Sequence, residues 1–145
     1  MQATQLDDLP PWARAMLEES PVGRLGLVDE HGSPRVLPVT FVLSDGAFFT
    51  AVDEKRKSVA PAEVARVRYL REHPGAALTV DHYEDDWSTL AWAQVLGQAQ
   101  VLDAGDDPSA LEALRAKYEQ YRRRPPPGPL IRLQPERFLC WRADD

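Results

Sequence analysis

Residues 23–53 read GRLGLVDEHGSPRVLPVTFVLSDGAFFTAVD, and the fold turns on how this stretch divides. Three short apolar segments, 23–29, 35–43 and 47–53, are separated by EHGSP and SDG. Valine, phenylalanine and threonine suit a pleated surface, and His-Gly and Asp-Gly supply the positive φ angles that hairpins need. The stretch therefore predicts three antiparallel strands joined by two tight turns. Pro38 falls inside the second. Proline brings no N–H to a ladder, so that strand needs a sheet edge or a bulge there.

Working outward, residues 8–19, DLPPWARAMLEE, place Trp12, Met16 and Leu9 at helical spacing behind a proline entry. Residues 61–72, PAEVARVRYLRE, put Val64, Val67 and Leu70 on one stripe, and His73-Pro74-Gly75 stops that helix. AALTVDHY and LAWAQVLGQAQVLD return to strand chemistry. Asp107-Pro108 opens a further helix, with Leu111, Leu114, Tyr118 and Tyr121 on one face and Arg122 to Arg124 closing it. PPPGP is a stiff connector, and LIRLQPERFLCWR supplies the last strand or two. The pattern predicts a mainly β fold: a single domain over 1–145, built as a six-stranded antiparallel split barrel with added helices.

The chain has 145 residues, 43% of them hydrophobic, with no long apolar run. That is enough for one domain to bury about two thirds of its unfolded surface, and it predicts no membrane-spanning helix. The start, MQATQLDDLPPWARAM, shows no basic region followed by an apolar core, so a cytoplasmic protein is expected. A formal charge of -6 argues against nucleic-acid or anionic-membrane partners. Any anion must be caught by a local cluster. Cys140, the only cysteine, forms no internal disulfide and reads as a thiol packed among Phe138, Leu139 and Trp141.

Such a cluster stands at the end of the third strand, where TAVDEKRKS places Lys55, Arg56 and Lys57 in a row. Strand alternation puts Lys55 and Lys57 on one face and Arg56 on the other. With a helix starting near Ser58 to Pro61, the two ammonium groups suit a phosphate; alternatively, the triplet solvates a turn beside Asp53 and Glu54. DHYEDDW, residues 81–87, invites a metal or general-base reading through His82, but three successive acids after a strand are better read as a solvated turn. Trp87 and Trp92 face either the core or a planar ligand. The arginines of YRRR complement the helix dipole or grip an acidic partner.

Taken in order, GRLGLVDEHGSPRVLPVTF, FFTAVDEKRKS, LREHPGAALTVDHYEDDWSTLAW and YEQYRRRPPPGPLIRL resemble the split-barrel flavin and deazaflavin oxidoreductases of the pyridoxamine-phosphate-oxidase-like class. VDHYEDDWSTLAW and YRRRPPPGP are similar to the actinobacterial branch that uses coenzyme F-420. The resemblance covers nearly the whole chain. It implies a homodimer with two cofactor sites at its interface, and hydride transfer between reduced coenzyme F-420 and a small organic acceptor. The same barrel holds FMN in other relatives, and a non-catalytic cofactor binder is a further alternative. By resemblance, Thr50, Lys55 and Lys57 hold the cofactor phosphate, the ring lies against Val39 and Thr40 near Pro38, and Trp87 and Ser88 line the site. No catalytic side chain and no metal are expected.

Overall fold

The computed structural model describes residues 1–52 and 64–144. Lys55, Arg56 and Lys57, and the first part of the helix expected over 61–72, lie outside the described residues. The strands are β1 (Gln2–Ala3), β2 (Gly23–Val28), β3 (Pro34–Val39), β4 (Val42–Ser44), β5 (Ala47–Ala51), β6 (Gly75–His82), β7 (Ala91–Leu102) and β8 (Leu130–Arg142). The helices are α1 (Pro11–Glu19), α2 (Ala65–Glu72), α3 (Pro108–Lys117) and α4 (Glu119–Arg123). All pairings are antiparallel, and the sheet runs β3-β2-β6-β7-β8-β5-β4, with β1 on β8.

The count of eight strands, against six expected, comes from two local events. The second expected strand bends at Thr40-Phe41 and becomes β3 and β4. The first residues add β1, where the Met1 ammonium donates to the Cys140 carbonyl at 2.9 Å. The bend is what makes the sheet a barrel. β3 lies at one edge of the strand order and β4 at the other, yet only Thr40 and Phe41 separate them in the chain. The sheet must curl until its edges approach, and it stays split there because β3 and β4 do not pair. Pro38 sits on β3, an edge strand, as its missing N–H requires.

Both tight turns form. Asp45 and Gly46 take φ of 49° and 78°, joining Ser44 to its partner Ala47. Gly32 takes 77°, and Asp29 Oδ1 accepts from the N–H groups of His31 and Ser33. These bonds hold the Asp29 carboxyl below its usual pKa, despite the opposing effect of desolvation.

The barrel interior holds one apolar cluster that includes Leu25, Phe41, Phe48, Val80, Val95, Ile131 and Phe138, and α1 adds Ala13 and Leu17 to it. Each fully buried large side chain contributes about 1.5–3 kcal/mol. Cys140, 2% exposed, packs into this cluster as expected, and burial pushes its thiol up. A second cluster joins the outer side of β5 (Ala47, Phe49, Ala51) to Ala110, Leu114 and Tyr121. β5 is therefore buried on both faces, with α3 and α4 covering one.

The single helix expected from Asp107 to Arg124 is two. Asp107 caps α3 by accepting from the Ala110 N–H at 3.0 Å, but Tyr118 has φ -119° and ψ 118°, which ends α3 before α4 begins. The cause is tertiary. The Tyr118 hydroxyl accepts from the Phe41 N–H at 3.0 Å and donates to the Pro21 carbonyl at 2.8 Å, with the Phe41 carbonyl at 3.0 Å as a second acceptor.

Candidate functional site

The β3–β4 corner gathers a connected set of polar side chains around Phe41. Phe41 cannot continue a ladder, so its backbone groups need other partners. Tyr118 meets the N–H, and the Lys117 ammonium donates to the carbonyl at 2.9 Å. Thr40 Oγ1 lies 2.7 Å from the Tyr121 hydroxyl, and the rings of Tyr118 and Tyr121 meet edge to face with centroids 5.5 Å apart. Lys117 Nζ also stands 3.9 Å from the centre of the Phe41 ring. Burial alone lowers the Lys117 pKa from 10.5 to about 8. Burial raises that of Tyr118, which stays a neutral hydroxyl.

Val39, 8% exposed, closes β3 against Gly23 of β2, and Thr40 follows half-buried. The Val42–Phe49 pair brings Thr40 and Thr50 to the same end of the β4–β5 hairpin. Thr50, however, is 6% exposed, and its Oγ1 is buried without a hydrogen-bond partner. It borders an internal space of about 10 Å³ lined chiefly by Leu25, Phe41, Phe48, Leu78 and Ile131. That is room for one water at most. A phosphate contact from the Thr50 hydroxyl needs the β5 backbone to change, because the Cβ of a strand residue is fixed on one face.

Trp87 and Ser88 occupy a short turn, Trp87–Thr89, between β6 and β7. Trp87 is 77% exposed and so forms no part of the core, while Trp92 is half-buried on β7. Asp86 holds the turn, accepting from the Ser88 N–H at 3.1 Å and its hydroxyl at 2.7 Å, which lowers the Asp86 pKa. Glu84 accepts from the Thr89 hydroxyl at 2.8 Å and stands 3.3 Å from His82. Glu84 and Asp86 thus serve the local turn, while Asp81 pairs with Arg24 of β2 at 3.5 Å. Among the described residues no three His, Cys, Asp or Glu side chains gather in a way that could hold a metal ion.

The turn adjoins the Ala91–Arg142 end of the β7–β8 ladder, whereas Thr50 pairs with Ile131 near the other end. From Ile131 to Arg142 the strand runs roughly 35 Å at about 3.3 Å per residue. One chain therefore puts Thr40 and Thr50 at the same end of the β4–β5 hairpin, with Thr50 facing the barrel interior and Thr40 bonded to Tyr121 of the outer cluster, and keeps Trp87 and Ser88 away from Thr50. Sequence reasoning missed Lys117 at the corner and saw Tyr118 and Tyr121 only as an apolar stripe. The available signal was a pair of hydroxyl-bearing rings three residues apart beside a lysine.

Residues 9–142 match the family described as pyridoxamine 5'-phosphate oxidase. The chain belongs to that family, a family of flavin-binding oxidoreductases built on the split barrel. Among solved structures it is similar to an F420 reductase, at 18% identity and TM-score 0.69, over 90% of this chain and 98% of that one. A conserved hypothetical protein, Rv2991, of Mycobacterium tuberculosis matches at 14% identity and TM-score 0.71, over 88% and 80%. An FAD-binding protein of Mesorhizobium loti matches at 17% and 0.67, over 97% and 95%. No curated protein matches the chain by sequence.

Proposed function

We propose that this protein is an oxidoreductase that uses reduced coenzyme F-420 to pass hydride to a small organic acceptor. Bound there, the deazaflavin supplies the hydride chemistry, and the chain supplies position, electrostatics and exclusion of water. Thr40 gives the ring a hydroxyl, held at 2.7 Å by Tyr121, and Val39, whose side chain is buried in the barrel core, meets it through its backbone. Lys55 and Lys57 receive the phosphate. The donor set fits such a group: a flavin-type ring carries carbonyl and N–H groups on one edge, and the corner offers a hydroxyl and an ammonium.

The observation that carries the reading is the family match over residues 9–142. Coenzyme F-420 is favoured over FMN by the likeness to the F420 reductase, which spans 98% of that chain. The likeness to an FAD-binding protein supports the second reading, an FMN or other flavin oxidoreductase of the same fold. A homodimer completes the site. Since Trp87 and Ser88 lie far along β8 from Thr50, a two-fold partner is the source of the tryptophan that covers the ring. The sheet face of β3, β2, β6 and β7 supports that contact, with Val36 69% exposed and Trp92 half-buried on it.

The test is the absorbance spectrum of purified protein, then titration with coenzyme F-420 and with FMN. Tight F-420 binding, and its oxidation by a panel of small acceptors, is expected. Flavin retained through purification would establish the second reading instead. Binding without turnover on any acceptor would point to a storage or sensing protein.

A further inference from the structure

Two charged stretches of the sequence, DHYEDDW and YRRR, are only partly used within the single chain. The first forms the turn between β6 and β7, and its tip is firmly built. Asp86 caps the short turn Trp87–Thr89, while Glu84 accepts from the Thr89 hydroxyl and stands beside His82. On this base Tyr83 and Trp87 are both exposed. Large aromatic side chains held in water by a well-bonded turn mark a contact with another molecule. Asp81 is taken by Arg24. Asp85 is left exposed, with no hydrogen bond or ion pair among the described residues.

YRRR stands at the other end of β8. Arg122 donates to the carbonyls of Arg115 and Ala116 at 2.8 and 2.9 Å, and Arg123 meets Glu119 at 2.9 Å. The Arg124 side chain is exposed and, like that of Asp85, makes no hydrogen bond or ion pair among the described residues. Its mount is stiff. α4 ends at Arg124, residues 125–129 follow with Pro126 and Pro129 buried, and the Pro129 carbonyl accepts from the Val52 N–H at 3.1 Å. Arg124 also lies close to the β3–β4 corner, because Tyr121, three residues before it, bonds Thr40 at 2.7 Å.

These two unused charges cannot meet in one chain. The acidic turn adjoins the Ala91–Arg142 end of the β7–β8 ladder, whereas residues 125–129 lead into Leu130, which pairs with Ala51 roughly 35 Å away along β8. Opposite charges at the two ends of one strand are what a two-fold axis joins: the acid of each copy meets the base of the other, and the contact occurs twice. Association in the same sense would set acid on acid and base on base. The corner beside Arg124 is also where the cofactor reading places the partner's tryptophan. Asp85 precedes Trp87 by two residues, so a turn that lays Trp87 over Thr40 carries Asp85 toward Arg124.

We propose that Asp85 of each subunit pairs with Arg124 of the partner subunit across a two-fold axis, and that this pair seats the Trp87 turn at the partner's ring site. The inference rests on the homodimer and cofactor reading above, and it names the occupant of the exposed turn as a second copy of this chain. Neither residue touches the cofactor; both are positioning residues. At the rim of a contact, opposite charges select orientation more than they add affinity, and salt screens them.

The experiment measures the dimer dissociation constant by sedimentation at low and moderate salt. It compares wild type, Asp85→Arg, Arg124→Asp and an equimolar mixture of the two variants. Both side chains are exposed and bond nothing in their own chain, so the substitutions leave the fold intact. Each reversal alone sets like charges together at both contacts and is expected to weaken the dimer about tenfold, less so as salt rises. In the mixed dimer every contact between positions 85 and 124 is again between opposite charges. The mixture is therefore expected to recover affinity for the dimer, and for coenzyme F-420, to within about threefold of wild type. That recovery requires the contact to run between subunits. Unchanged dissociation constants for the single variants, or a mixture no tighter than its components, overturn the inference and leave the homodimer and cofactor reading intact. Wild type at monomer mass overturns the inference and the shared site together.

Discussion

Thr50 and Lys117 are residues whose surroundings oppose their chemistry. Thr50 keeps a hydroxyl inside an apolar barrel with no hydrogen-bond partner. An unsatisfied buried polar group costs about 1–3 kcal/mol, so Thr50→Val, which keeps the shape, is expected to raise stability by about 1 kcal/mol in urea unfolding. A tenfold loss of cofactor affinity instead would show that the β5 backbone changes to bring the hydroxyl to the phosphate. Lys117 has a folded-state pKa below that of an unfolded lysine, so the unfolded chain holds the extra proton between pH about 8 and 10.5. Stability from this group is therefore lowest below about 8 and rises toward 10.5. Wild type is expected to gain on Lys117→Met over that window, as followed by melting temperature against pH. At this scale the sequence was partly legible. Val39 and Thr40 were named by resemblance alone, while Lys117 looked like any basic residue at a helix end, because its partner Phe41 is 76 positions away.

At the scale of elements, local chemistry is readable and tertiary breaks are not. Gly46 and Gly32 adopt the positive φ that their dipeptides announce, and Pro38 takes the edge its ring demands. Pro38 signalled an irregular second strand but not the break at Thr40-Phe41, and the bend at Tyr118 has no glycine, no proline and no lost periodicity to betray it. Each exists because of the other: Tyr118 leaves the helix to bond Phe41, and Phe41 leaves the strand with Tyr118 as a partner. Tyr118→Phe removes the hydroxyl from the Phe41 N–H and the Pro21 carbonyl together. It is expected to cost about 1–3 kcal/mol, as measured by denaturation, and to loosen hydrogen-exchange protection at Phe41. A loss within 0.3 kcal/mol would mean that the corner is held by packing alone. The bulge at Leu96/Gly97 was equally hidden. A Cβ on Gly97 would overlap the Gln134 carbonyl, a constraint set by a strand more than 30 positions on.

For the whole molecule, the order of elements predicted the architecture because hairpins leave few topologies open, and five of the six expected strands are single strands of the structure. The proposed homodimer belongs to the same scale. Val36 is 69% exposed and Trp141 44% exposed on strands that bring their apolar side chains into solvent. Trp141→Glu is expected to shift sedimentation at micromolar concentration from a dimer to a monomer and to weaken cofactor binding together with assembly. Wild type sedimenting at monomer mass would remove the shared site.

The central claim is a flavin-type cofactor bound with its ring at the β3–β4 corner and its phosphate on Lys55 and Lys57. If those two lysines share a face, each charge-assisted contact is worth roughly 1.5–3 kcal/mol, and Arg56 points away. The most direct measurement is the titration of wild type, Lys57→Ala and Arg56→Ala with coenzyme F-420 at low and moderate salt. The account predicts a 10- to 100-fold weaker affinity for Lys57→Ala, easing as salt rises, and little change for Arg56→Ala. Equal and small losses for both would contradict it, leaving the basic triplet as a solvated turn.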